Sequence, residues 1–291
     1  MINLKNSIKR HPESYSLIKP MYRIYCGLIG NLHVLPNFLI IGAARSGTTS
    51  MYEYLSQSPN ILAPTGKEIY FFDKNFQRGI NWYKKFFPTK NQMSNHSNEI
   101  NQKVITGEAT PRYIHHPHVP KRVFNMIPNV RLIVLLRNPV DRAHSHYQMQ
   151  FEHKAESLSF EEAIEKEPER LEGEFEKMEK DGNYYSVEFY KRSYLTRGIY
   201  AEQLERWFKY FPREQFLIIQ SEEFYSNTLS VFNKVLNFLS IPNFEPNEFE
   251  AFKSRKYSEM NPETRKKLVE FFKPHNERLY KLLGTNFHWD E

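Results

Sequence analysis
Cysteine is all but missing from this chain: Cys26 is the only one in 291 residues. One thiol excludes an intrachain disulfide and a cysteine zinc cluster, and it fits a reducing compartment. Long apolar runs are missing as well. A membrane span needs roughly 18 apolar residues in a row. The nearest approach, residues 21–41, is broken by Arg23, Asn31, His33 and Asn37. The opening MINLKNSIKRHPES starts basic but lacks an apolar stretch and a small-residue cleavage site. We therefore expect a cytoplasmic protein with no integral membrane segment. Repeats, low-complexity tracts and arginine-rich tracts are also lacking. The net charge of +6 thus favours anionic ligands without pointing to nucleic acid, and no nucleic-acid partner is expected.

What is present is globular material, 40% hydrophobic and 25% charged, with 23 Phe and 18 Tyr to fill a core. Residues 1–35 read as a preamble with one helix around 14–28, and residues 36–291 as a single domain. Phe38–Gly42, an apolar run closed by glycine, reads as a buried strand, with a helix following over Thr48–Ser56. KEIYFFD (67–73) suggests a short aromatic strand, and the polar stretch 89–102 a surface loop. KVITGEATP (103–111), RLIVLLRNP (131–139) and QFLIIQ (215–220) complete five strands. Helices are expected over 117–126, 140–152, 200–210, 228–239 and about 262–283. The charge-rich segment 156–181, headed by Ser159-x-x-Glu162, reads as solvated helix faces, and 240–260 as loop. Alternating strands and helices argue for one α/β domain, a central parallel sheet flanked by helices in three layers.

Three stretches carry chemistry. FLIIGAARSGTT (38–49) places Gly42-x-x-x-x-Gly47 between a strand and a helix, where backbone N–H groups and the positive dipole end face an anion. A nucleotide triphosphatase would continue with lysine after the second glycine; here Thr48 stands there, and the loop's cation is Arg45. In the second stretch the strand 131–136 runs into Arg137, where such an enzyme would hold Mg²⁺ through an aspartate. Ser145 lies two helical turns on, so both could meet one phosphate at the sheet's carboxyl edge; a strand-capping arginine is the plainer alternative. In the third, Glu68 precedes an aromatic run whose burial would raise its pKa and suit it to proton abstraction. An exposed loop glutamate is the alternative there, with Glu108 the next carboxylate to consider. His115, His116 and His118 read as a surface turn rather than a metal site, and Trp82 and Tyr83 as core and rim.

Together these stretches describe a ligand with two separate anionic ends, such as 3′-phosphoadenylyl sulfate (PAPS), whose sulfuryl transfer needs no metal. At this point the chain resembles the PAPS-dependent sulfotransferases, most closely the heparan sulfate N-sulfo and 3-O-sulfo branch. The resemblance rests on the loop Gly42 to Thr49, on Glu68-Ile69-Tyr70-Phe71-Phe72, on the segment Arg137 to Tyr147, and on GINWYKKFFP (79–88) and RKYSEM (255–260). It implies a P-loop-like fold and an enzyme that moves a sulfuryl group from PAPS to a hydroxyl or amine, leaving adenosine 3′,5′-bisphosphate (PAP). The acceptor is expected to be a carbohydrate, with a lipid or small molecule as alternatives; a P-loop kinase or a non-catalytic anion binder are the competing classes. By the same resemblance Arg45, Ser46, Gly47, Thr48, Thr49 and Ser50 hold the 5′-phosphosulfate, and Arg137 and Ser145 the 3′-phosphate. Lys253, Ser254 and Arg255 close over the nucleotide, serine standing where relatives have glycine. Glu68 is the general base, aided by Arg45. Ala109 replaces a lysine found in many heparan-type relatives.

Overall fold
Consecutive side chains of a strand point to opposite faces of its sheet, and in this chain both faces are apolar. In β1 (Phe38–Gly42), Leu39 and Ile41 enter one core, and Phe38 and Ile40 the other. In β3 (Arg131–Leu136), Leu132, Val134 and Leu136 share the first core, and Ile133 and Leu135 the second. A fully buried side chain of this kind contributes about 1.5–3 kcal/mol over an exposed one, so these runs can only be central strands. The computed structural model describes residues 30–246 and 259–290. Within them, β2 (Gly107–Ala109), β1, β3 and β4 (Phe216–Gln220) form a parallel sheet in the order β2-β1-β3-β4. Helices Val119–Met126, Tyr200–Phe208 and Pro262–Leu283 contribute to the first core, through Val123, Trp207 and Leu279 among others. Helices Thr48–Ser56 and Thr228–Leu239 close the second through Met51, Leu55 and Val235. The parallel three-layer α/β architecture is as expected.

Two local readings are corrected. The segment expected as an aromatic strand turns helical at Phe71–Lys74. A strand there would point Phe71 and Phe72 to opposite sides, whereas the helical turn buries both completely; Tyr70 enters it with φ 54°. Among the described residues the sheet accordingly has four strands, not five. The polar stretch expected as a loop is a helix, Lys90–Ile100, opened by a capping box between Thr89 and Gln92. None of its residues is buried, so it shows no apolar period; the cap was its sequence signal. His115 and His116 are also buried rather than in a surface turn. His115 stacks on Phe189 at 4.2 Å, and burial beside Arg122 brings His116 down to about 2, so it stays neutral.

The charge-rich segment forms helices Phe160–Glu165, Glu167–Leu171 and Glu174–Lys180, largely solvated as expected. Glu167 is an exception: it is buried and accepts from the amides of Leu195 and Thr196 at 2.7 and 2.8 Å. The helix expected over 14–28 lies outside the described residues, as do Lys253, Ser254 and Arg255.

Candidate active site
The carboxyl edge of the sheet opens into a cleft of about 810 Å³. Arg45, Gly47, Thr48 and Thr49 line it, together with Glu68, Arg137 and Ser145. All three stretches singled out in the sequence therefore meet in one place. Ser46 and Ser50, by contrast, are fully buried and do not line the cleft.

The loop is shaped by its second glycine. Gly47 precedes the helix Thr48–Ser56 with φ 85°, in the left-handed region, and no side chain caps that helix. A Cβ on Gly47 would also lie 2.9 Å from the hydroxyl oxygen of Tyr225. The left-handed φ favours glycine here, while Tyr225, half-exposed, could swing aside from a Cβ. The helix's first amides and its dipole are thereby presented to an anion at the loop. Ser221 Oγ fixes the loop by donating to the carbonyl of Ser46 at 2.8 Å. Lys67 Nζ reaches Thr49 Oγ1 at 2.6 Å, a second cation beside the loop that the sequence reading overlooked.

Arg137 follows β3, and its Nη1 donates to the carbonyl of Arg45 at 3.3 Å. The carbonyl of Arg137 in turn accepts from Tyr200 Oη at 2.9 Å. Asn138 caps the helix Pro139–Glu152 by accepting from Val140 N, and this sets Ser145 two turns in, nearly fully buried. Arg45 Nε donates to Ser145 Oγ at 3.0 Å. The two expected anion sites are thus joined through a single arginine fork, which spacing alone could not show.

Glu68 is half-buried on the cleft wall, not buried as the sequence suggested. It accepts from the hydroxyl of Tyr70, whose phenol is held well above its ordinary range by burial and by that carboxylate. Arg112 lies over Tyr70 at 4.2 Å and over Tyr190 at 4.4 Å, and pairs with Asp73. Tyr185 stacks on Tyr190 at 4.5 Å and is 37% exposed. Tyr70, Arg112, Tyr185 and Tyr190, with Lys191 and Arg197, also line the cleft and form its aromatic and cationic wall. Sequence reading gave none of them a role in the site, because each is unremarkable alone and they converge only through the fold. A faint signal was there: Arg112 follows β2 at the carboxyl edge, where α/β sheets bind ligands. Glu108, by contrast, is fully buried on β2 and does not line the cleft.

Fold and cleft together define an α/β protein with a glycine loop, cations and a carboxylate gathered at the carboxyl edge of its sheet. Comparison with known proteins makes the assignment specific, because a family model for the sulfotransferase domain matches residues 35–280. The chain belongs to the sulfotransferase family and is a sulfotransferase. It is 31% identical to the membrane-associated sulfotransferase kil1 of Dictyostelium discoideum, over 89% of this chain and 68% of that protein. It is also 31% identical to the human bifunctional heparan sulfate N-deacetylase/N-sulfotransferase 3, over 94% of this chain but only 32% of that protein. A solved sulfotransferase structure from Alicyclobacillus acidocaldarius is 30% identical with a TM-score of 0.67, covering 89% of this chain and 100% of that one.

Proposed function
We propose that this enzyme transfers a sulfuryl group from PAPS to a hydroxyl or amine of a carbohydrate and releases PAP. One observation carries the reading: a carboxylate, an uncapped helix N-terminus, and Arg137 and Ser145, both tied to that loop through Arg45, share one cleft. In this reading Glu68 takes the acceptor's proton as the acceptor atom bonds to sulfur and the bond from sulfur to the phosphate oxygen breaks. Arg45 and the amides of Gly47 to Thr49 stabilise the charge gathering on the leaving phosphate. Arg137 and Ser145 hold the 3′-phosphate and so fix the donor's register. A carbohydrate acceptor is supported by the naming of the human relative for heparan sulfate. The wall of Tyr70, Tyr185, Tyr190 and Arg112 supports it too, since aromatic rings suit the apolar faces of sugars. A screen with radiolabelled PAPS across glycan, lipid and phenol acceptors tests the acceptor class; transfer to lipids or phenols alone would overturn it.

The donor is tested by thermal unfolding. PAP at 100 times its Kd should stabilise the native state by about 2.7 kcal/mol and raise Tm by several degrees without Mg²⁺. A shift with ATP and Mg²⁺, and none with millimolar PAP, would refute the reading. Arg137→Ala should weaken PAP binding by roughly 10- to 150-fold, the loss of one charge-assisted contact of about 1.5–3 kcal/mol. Adenosine 5′-phosphosulfate, which lacks the 3′-phosphate, should bind nearly as before. Equal losses by titration calorimetry would show that Arg137 does not read that phosphate.

A further inference from the structure
Glu108 is a carboxylate that the transfer chemistry leaves unused, and it is fully buried. Its Oε1 accepts from Tyr83 Oη at 2.6 Å and from Tyr113 Oη at 3.1 Å. Its Oε2 accepts from Thr110 Oγ1 at 2.8 Å and from the amide of Ile69 at 3.4 Å. The same Tyr113 oxygen accepts from the amides of Phe71 and Phe72 at 2.9 and 3.4 Å. On the other side of Glu68, the carbonyl of Lys67 accepts from Ala109 N at 3.3 Å. The backbone that carries Glu68 is therefore tied, before and after it, to β2 and to the hydroxyls gathered on Glu108.

Such ties have a purpose here. Tyr70, whose hydroxyl meets Glu68, sits at φ 54°, a left-handed conformation that is strained for a non-glycine residue. A strained turn of this kind persists only where its surroundings hold it. An apolar residue of similar size would fill the site of Glu108 without the cost of burying a carboxyl. It would also leave the amide of Ile69 and three hydroxyls without their acceptor. Burial outweighs the downward pull of the Tyr83, Thr110 and Tyr113 hydroxyls and leaves the Glu108 carboxyl raised to about 7.

We propose that Glu108 is a positioning residue, fixing the Glu68 carboxyl at the cleft wall through Ile69 and Tyr113 without meeting the acceptor itself. This rests on the reading of Glu68 as the base, and the experiment separates the two. Amide exchange would be followed in wild type, Glu108→Gln and Thr110→Val. Single-turnover transfer and PAP affinity would be measured for the same proteins and for Glu68→Gln with and without Glu108→Gln. Glu108→Gln should speed exchange across residues 67–73 by about tenfold or more and leave β1 and β3 protected. Transfer should fall by roughly 10- to 100-fold, as expected for a misplaced reacting group, with PAP affinity unchanged. In the Glu68→Gln background the same change should cost less than about twofold, because residues acting through one another are non-additive. Thr110→Val, which removes one donor and keeps the carboxyl, should show the same pattern more weakly. Unchanged exchange over 67–73, or an equal loss of transfer in both backgrounds, would overturn the proposal. So would loss of protection throughout the sheet, which would make Glu108 a residue of general stability. Wild-type turnover in Glu68→Gln would instead strike the base reading.

Discussion

Replacing Glu68 with glutamine should lower single-turnover sulfuryl transfer to a hydroxyl by roughly 10²–10⁴-fold, the usual contribution of a general base. PAP affinity should stay nearly unchanged. Glutamine keeps the size and one acceptor oxygen, so Tyr70 can go on donating to it, but it cannot take a proton at neutral pH. The expectation holds for a hydroxyl acceptor. An amine that arrives already deprotonated needs less help, and a small loss on an amine would discriminate nothing. Saturating PAPS and single turnovers exclude slow product release as the step being read. A variant that keeps wild-type turnover under these conditions would remove Glu68 from the mechanism. Glu108 could not then take its place, since it is fully buried and does not line the cleft.

The layers of the fold were legible because they follow from local pattern. β1 and β3 are apolar on both faces, which only a strand covered on two sides tolerates, and Pro139 and Asn138 mark where the following helix begins. The anion loop was legible for the same reason: a glycine spacing between strand and helix is a short-range signal. Arg137 and Ser145 could be paired because both lie on one strand-helix unit. What stayed hidden depends on contacts between distant parts of the chain. The turn at Tyr70 is held by Tyr113 and by Asn75, whose side chain donates to the Tyr70 carbonyl at 3.0 Å. No pattern within KEIYFFD announces that. Arg112 gains its meaning from Tyr70 on one side and Tyr190 on the other. The two carboxylates show the limit most clearly. Sequence suggested a buried Glu68, yet the fold leaves Glu68 on the cleft wall and buries Glu108, because β2 pairs with β1 along its whole length and places Glu108 opposite Leu39. Which glutamate reaches the cleft and which is buried is decided by that pairing.

Arg45→Ala should lower single-turnover transfer by about 10²–10³-fold, or about 2.7–4 kcal/mol in the barrier, the loss seen when one preorganised donor to a developing anion is removed. The backbone should survive the change. Arg45 sits at φ 73°, and alanine bears the same Cβ, so the strain is equal in the two proteins. The loop is also held through main-chain oxygens, with Arg137 donating to the carbonyl of Arg45 and Ser221 to that of Ser46. Thermal stability should therefore change little while chemistry collapses. Arg45→Lys distinguishes charge from shape. Lysine restores the positive charge but cannot reproduce the planar fork that donates to Ser145 Oγ through Nε and to Met149 Sδ through Nη1. If charge at the leaving phosphate is what matters, Arg45→Lys should recover to within about tenfold of wild type. If the fork's hold on Ser145 matters more, Arg45→Lys should instead resemble Ser145→Ala, with weakened PAP binding and a smaller loss in the transfer step. Wild-type transfer in Arg45→Ala, read with the same acceptor and saturating PAPS, would show that the helix amides carry the leaving phosphate without it.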